Sequence, residues 1–387
     1  MSLIEKVFWL SCFILLYTVV LYPFLLIVIS LFARKEIVRD DQARKVALVV
    51  PVHNGENEIE AKIKNCLALD YPRDMLEIYF VSDGSTDRTV DIVRSYHEDG
   101  IYCMALTKRV GKVPAQNAVL SKIKAEIIVF SDVGILIPAS ALKDIVSNFA
   151  DRSIGAVSCR DEVVSHKKSQ GDSLYINYDM LIRSYTSMIG SLIGVTGGFY
   201  AVRREIAEGG WEPVFPPDFY VALKAIRMGF RVIEDNRVIA RYHASKSDIW
   251  ELDRKVRSIT RGIWALYGNI ALLNPFRFPM ISFQLISHKV LRWMTPLFFL
   301  ICLMTSCLLA FENNPFYNVV FFLQLLFYGW GGAIYLLNLK GIWTGGFSSL
   351  PKLFLMFNFA ILLSWKNFFT GRKIVQWQPT VRSSGAE

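Results

Sequence analysis

The sequence predicts an α/β domain with a mostly parallel sheet, flanked by transmembrane helices. Three observations lead there. Long uncharged runs stand at both ends, short apolar runs alternate with helical stretches in the middle, and each apolar run stops abruptly in polar turn residues. With 387 residues the chain can hold a large domain plus a membrane part. Apolar types reach 53% against 20% charged, which excludes a disordered chain and argues against a wholly soluble one.

Phe8 to Phe32 carries no charge over about 25 residues, long enough to cross a hydrocarbon layer of about 30 Å. A signal peptide has an apolar region of about 7–15 residues followed by a small-residue cleavage site, and neither is found here. Trp293 to Phe311 and Pro315 to Leu339 are two further uncharged runs. Leu353 to Trp365, between Lys352 and Lys366, is shorter and reads as a re-entrant or interfacial segment.

Orientation follows from the basic residues. Arg34, Lys35, Arg39, Arg44 and Lys45 place the long polar middle in the cytoplasm, and Lys340, Lys352, Arg372, Lys373 and Arg382 return the chain there. The expected organisation is an N-terminal membrane helix over 1–33, a cytoplasmic domain over 34–270 and an amphipathic interfacial segment over 271–292. A membrane region over 293–370, with two full spans and a short third segment, and a basic tail over 371–387 complete it. Trp250, Trp264 and Trp293 read as a membrane-surface belt. The formal charge of +9 is accounted for by these flanks and by motif residues, so nucleic acid is not an expected partner. The six cysteines form no CxxC and the five histidines no metal-ligand spacing, so neither a zinc site nor a disulfide framework is implied.

Within the middle, Val46 to Val50, Glu77 to Val81 and Glu126 to Phe130 read as buried strands, with helices such as Glu58 to Leu69 and Asp87 to Tyr96 between them. Strand, helix, strand at these lengths gives βαβ units. Ligands then sit beyond the carboxyl ends of the strands, where three polar loops converge on one cleft. No G-x-G-x-x-G or P-loop is present, which removes dinucleotide and NTPase readings. Asp83 and Asp132 each end a strand. Either alone reads as a turn former; together they suit a divalent ion held against a diphosphate. No ionisable residue lies within the three long runs to mark a transport pathway.

In order along the chain come Pro51-Val52-His53-Asn54 with Glu56, Asp83-Gly84-Ser85-Thr86-Asp87, Lys112 with Asn117, Phe130-Ser131-Asp132, Thr196-Gly197-Gly198-Phe199-Tyr200, Pro217-Asp218 and Arg254 to Arg261. This series, from about Val46 to Arg261, resembles the membrane-bound family 2 glycosyltransferases of the bacterial exopolysaccharide and poly-N-acetylglucosamine synthase type. The resemblance implies a Rossmann-like GT-A fold and a hexosyl- or N-acetylhexosaminyltransferase. It would be inverting and dependent on Mg2+ or Mn2+, using a nucleotide sugar, taken to be a UDP-sugar. It implies donor binding by Pro51, His53, Asn54, Glu56, Asp83, Lys112, Asp132, Arg257 and Arg261, with Asp132 also the metal ligand. Thr196, Gly197 and Gly198 fall on the acceptor side, and Asp218 at the position of the catalytic base.

Two departures are visible. Asp132-Val133-Gly134 lacks the second carboxylate of Asp-x-Asp, and the Gln-x-x-Arg-Trp motif is not intact. Arg257 and Arg261, four apart on one helix face, suit a phosphate clamp or a basic face against lipid headgroups. The expected product is a growing polysaccharide or a lipid-linked glycan, made at the cytoplasmic face of the inner membrane, with membrane lipid and synthase or export proteins as partners. The rival readings are a polyprenyl-phosphate sugar transferase and a non-catalytic subunit of a synthase complex.

Overall fold

The computed structural model describes residues 1–164, 170–243, 248–312, 314–339 and 349–375. Lys340, Arg382 and the Trp250 side chain, invoked above, lie outside the described residues. Seven strands form one sheet: β1 (Val46–Val52), β2 (Leu76–Ser82), β3 (Ile101–Ala105), β4 (Ile127–Ser131), β5 (Ile154–Val164), β6 (Phe199–Arg203) and β7 (Arg231–His243), in the order β3-β2-β1-β4-β6-β5-β7. β1 to β4 are mutually parallel, β6 runs antiparallel to β4 and β5, and β7 is parallel to β5.

β1 is buried throughout. Ala47 and Val49 pack into one apolar cluster, while Val46, Leu48, Val50 and Val52 pack into another on the opposite face. A strand covered on both faces needs apolar side chains at every position, which is why this run shows no alternation. Helices α3 (Ile59–Leu67), α4 (Thr89–Ser95), α5 (Lys112–Leu120) and α6 (Ala141–Ser147) connect the first five strands. α7 (Gln170–Ile189), α8 (Arg204–Ala207), α9 (Pro217–Arg227) and α10 (Asp248–Gly268) follow.

At the N-terminus α1 (Leu3–Leu16) begins with a Ser2–Glu5 capping box. It continues through a π-helical stretch, Tyr17–Leu21, into α2 (Tyr22–Phe32). Together they make a 30-residue helix that can cross a membrane, as Pro315–Leu337 can. Pro279–Trp293, which contains α11 (Pro279–Gln284), a π segment (Leu285–Val290) and α12 (Leu291–Trp293), meets α13 (Thr295–Ala310) at a bend of 56°. Counting that bent pair as one span gives up to three candidate spans among the described residues.

α14 (Pro315–Leu339) and α15 (Ser349–Phe369) complete the chain. α15 runs over 21 residues, longer than the uncharged stretch between Lys352 and Lys366. Tertiary contacts extend it: Ser364 Oγ donates to the Val256 carbonyl at 3.1 Å and Trp365 Nε1 to that of Trp293 at 2.8 Å. α2 packs on α7 through Tyr22, Leu26, Ile182 and Ile189, fixing the long N-terminal apolar helix to the sheet domain.

Candidate active site

The loops after β1 and β2 are tied to each other. Asn54 adopts φ +48°, and its Oδ1 accepts the Thr86 N–H at 2.8 Å while its own N–H donates to Ser85 Oγ at 3.1 Å. Glu56 N–H donates to Asp87 Oδ2 at 3.1 Å, and Glu56 Oε2 accepts the Arg88 N–H at 3.3 Å. His53 Nδ1 lies 2.7 Å from the Asp83 carbonyl oxygen, which makes it the donor. The buried Asp83 carboxylate accepts the Val110 N–H at 2.6 Å and the Gly111 N–H at 2.9 Å. Gly84, at φ +62°, lets this loop close on its neighbour, since a Cβ there would stand 2.5 Å from the Arg109 nitrogen. Asp83 thereby fixes the start of α5, whose first residue is Lys112.

Lys112 Nζ reaches Asp132 Oδ1 at 2.5 Å and the Gly197 carbonyl at 3.2 Å. Asp132 donates its N–H to the Gly198 carbonyl at 2.9 Å, which joins the end of β4 to the loop before β6. Thr196 is buried there, its N–H donating to Ser158 Oγ at 2.8 Å. A Cβ on Gly197 would lie 3.8 Å from Asp218 Oδ2, so the Asp218 carboxyl faces this loop. Asp218 sits in the first turn of α9, and its carbonyl accepts the Val195 N–H at 2.8 Å. Lys112, Asp132, Gly197, Gly198 and Asp218 therefore line one cleft, joined by Arg257 and Arg261 from α10.

The Arg261 guanidinium donates to the carbonyls of Val214 at 3.1 Å, Pro213 at 3.1 Å and Phe215 at 2.5 Å. It thus holds the segment that leads into α9. Burial brings its pKa down to about 10, against the attraction of Asp218. Arg257, half-buried one turn earlier, is lowered by desolvation and by Arg254.

Several contributors were not read from the sequence. Lys62 of α3 is fully buried behind the Asp132 loop and donates to Ser131 Oγ at 2.8 Å and the Ile135 carbonyl at 2.6 Å. A signal existed, because Ile59, Lys62, Ile63 and Cys66 form the buried stripe of α3 and a lysine within such a stripe must find partners. Arg183 donates to Glu234 Oε1 at 3.0 Å, the Gly194 carbonyl at 3.1 Å and Ser158 Oγ at 2.8 Å. Asp161, on the same cavity wall, is raised to about 6 by burial.

The cleft opens into a cavity of about 560 Å³. Its far wall is built from Tyr22 of the long N-terminal helix, Asp179 of α7, His288 and Lys289 of the π segment, Arg292 of α12, and Phe357 and Ile361 of α15.

The family described as "Glycosyl transferase family 2" matches residues 47–211. This region of the chain is a family 2 glycosyltransferase domain. The relatives agree: "Probable glycosyltransferase YdaM" of Bacillus subtilis (strain 168) is 28% identical over 202 residues, 49% of this chain and 48% of its own length. "Beta-monoglucosyldiacylglycerol synthase" of Synechocystis is 30% identical over 177 residues, 43% of this chain and 37% of its own. The chain thus spans less than half the length of the curated relatives it matches. The mannosyltransferase PcManGT of Pyrobaculum calidifontis, solved with GDP-Man and Mn2+, superposes with a TM-score of 0.74 at 21% identity. That comparison covers 96% of this chain and 100% of the other, and establishes a shared GT-A architecture including the flanking helices.

The matched glycosyltransferase domain contains Pro51 through Gly198 of the expected site, whereas Asp218, Arg257 and Arg261 lie beyond residue 211. The fold, not the match, brings those three to the cleft. Among the described residues no group of three or more His, Cys, Asp or Glu side chains is arranged to hold a metal ion.

Proposed function

We propose that this protein is an inverting, nucleotide-sugar-dependent glycosyltransferase that acts at the cytoplasmic face of the membrane on a lipid-linked acceptor. The observation that carries this reading is the continuity of the cavity. It runs from the Lys112–Asp132 pair to Tyr22, which lies ten residues, about 15 Å of helix axis, before the end of the membrane helix at Phe32. An acceptor anchored in the bilayer can reach Asp218 by that route, and a free polymer needs no such wall.

In this reading the loops of His53–Glu56 and Asp83–Asp87 take the nucleoside, while Lys112 and Arg257 take the diphosphate. The side chains present fit a divalent ion only in part. Asp132 offers one hard oxygen donor set, exposed at 25% and now facing the Lys112 ammonium, so diphosphate oxygens and water must complete the shell. Asp132 would be the side chain that holds Mg2+ or Mn2+, and the bound ion would supply neutralisation of charge on the diphosphate. Asp218 accepts the proton of the attacking acceptor hydroxyl, and Arg261 keeps the α9 terminus in place for it.

The test is release of nucleoside diphosphate by the purified full chain. A panel of UDP- and GDP-sugars is offered with either ion in lipid nanodiscs, beside an Asp218→Asn control. Turnover with one donor, stimulated by a lipid acceptor and abolished in the control, is expected. Turnover that survives the control removes Asp218 as base, and a wild type that neither turns over nor binds nucleoside diphosphate overturns the reading.

A further inference from the structure

Three aspartates surround the short loop Thr196–Gly198. The Gly198 carbonyl accepts the Asp132 N–H at 2.9 Å. Gly197 faces Asp218, whose Oδ2 would lie 3.8 Å from a Cβ placed there. Thr196 meets β5 instead, its N–H donating to Ser158 Oγ at 2.8 Å and its Oγ1 lying 3.1 Å from Cys159 Sγ. Asp161 follows two residues after Cys159, and its side chain lines the same cavity. The register of β5 on β7 shifts between Cys159 and Arg160, an irregularity of the kind that re-aims the side chains beside it.

Asp161 is poorly partnered where it stands. Among the described residues its carboxyl accepts only from the Cys159 thiol, a weak donor at 3.7 Å, and forms no ion pair. The Arg183 guanidinium attracts it, but that group is held by Glu234, the Gly194 carbonyl and Ser158. Glu234 and Asp132 repel it, and burial lifts it to about 6. A polar group taken out of water is ordinarily hydrogen-bonded, so a carboxyl left this way on a cavity wall has acceptor capacity for a ligand.

Chemistry narrows what that ligand group is. In an inverting transfer the leaving and attacking oxygens stand on opposite sides of the anomeric carbon, so the transferred sugar lies between Asp132 and Asp218. Of the groups around that place, Gly197 and Gly198 have no side chain, Thr196 Oγ1 donates its proton to the Phe199 carbonyl at 3.0 Å, and Asp132 faces Lys112. A sugar offers uncharged O–H donors, which a carboxylate accepts in charge-assisted bonds. We propose that Asp161 is a sugar-recognition residue, accepting hydrogen bonds from hydroxyls of the sugar being transferred. This rests on the transferase reading of the same cleft and names a side chain that selects the sugar within it.

The experiment compares each nucleotide sugar with its own nucleoside diphosphate, so that the sugar's share of binding is read alone. Calorimetry with Mn2+ on the full chain in nanodiscs, without acceptor, uses UDP-glucose, UDP-galactose, UDP-N-acetylglucosamine and GDP-mannose against UDP and GDP. Asp161→Ala is expected to weaken the best-bound nucleotide sugar about tenfold, the loss of one charged hydrogen bond, while its nucleoside diphosphate stays within about threefold. Asp161→Asn, which keeps one carbonyl acceptor, should lose less than the alanine variant. Parallel losses for sugar conjugate and nucleoside diphosphate would show a structural role and overturn the proposal, as would a sugar affinity unchanged in Asp161→Ala. A wild type that binds nucleoside diphosphate but none of these sugar conjugates would overturn it as well, leaving the nucleotide site in place. A wild type that binds neither would overturn the transferase reading and the sugar subsite with it.

Discussion

One ammonium joins three segments of the cleft: Lys112 Nζ lies 2.5 Å from Asp132 Oδ1 while also donating to the Gly197 carbonyl at 3.2 Å. The lysine opens α5 under the grip of Asp83, and the aspartate closes β4. With both side chains partly accessible, the pair contributes little stability, of order 1 kcal/mol or less. Lys112→Met is therefore expected to weaken nucleoside diphosphate binding about tenfold, the loss of one charged hydrogen bond, while the melting temperature moves little. Calorimetry and a thermal melt on one preparation check both halves. Unchanged binding would remove Lys112 from the donor site.

Lys62 provides a pH test. Burial lowers its pKa below the ordinary 10.5. Below the folded value the ammonium is charged in both states and the penalty is constant. Between the folded value and 10.5 the unfolded chain holds more protons, so stability rises with pH across that window. Lys62→Met should lose this rise, and at neutral pH it should cost about 1–3 kcal/mol because Ser131 Oγ and the Ile135 carbonyl are left without a donor. Melts of both proteins from about pH 8 to about pH 11 compare the slopes. Parallel curves would mean that Lys62 is not the titrating group.

Arg257 and Arg261 should separate. The Arg261 fork spans three backbone carbonyls, a geometry that a single ammonium cannot reproduce. Arg261→Lys is expected to lower stability by about 2–3 kcal/mol and to reduce turnover, with nucleoside diphosphate affinity within about threefold. Arg257→Ala is expected to do the reverse, cutting that affinity about tenfold at nearly unchanged stability. Equal affinity losses in both variants would assign Arg261 to the diphosphate as well.

Cys12 of α1 and Cys302 of α13 face each other with sulfurs 3.7 Å apart. Mild oxidation of membranes carrying the full chain is expected to cross-link them, so that after proteolysis within the sheet domain the two ends migrate together on a non-reducing gel. Cys12→Ser should abolish the cross-link. A link that persists in that variant would contradict the packing of α1 on α13.

The amino-acid sequence determined three of the four strands in the parallel half of the sheet and where those three end, while β3 was not read as a strand. β1 and β4 are buried along their whole length and so appear as unbroken apolar runs, β2 is buried mainly at its carboxyl end, and an aspartate follows the end of β2 and of β4. The long N-terminal helix was equally legible, because a helix able to cross a bilayer needs an apolar length that few other structures need. β5, β6 and β7 were not read as strands, since two carry charged side chains and the third is short.

Only the tertiary structure decided where the charges go. It set Lys62 behind Asp132, spread Arg261 over carbonyls from 46 to 48 residues away, and carried α15 past its flanking lysines by packing on α10 and Trp293. It also brought Tyr22 and Lys289 to the wall of a cavity that begins at Lys112. Periodicity reports whether a face is buried, but not which distant carbonyl, ring or ion will meet a buried charge there. Those partners come from chain closure over tens to hundreds of residues, and the hydrophobic pattern does not record it.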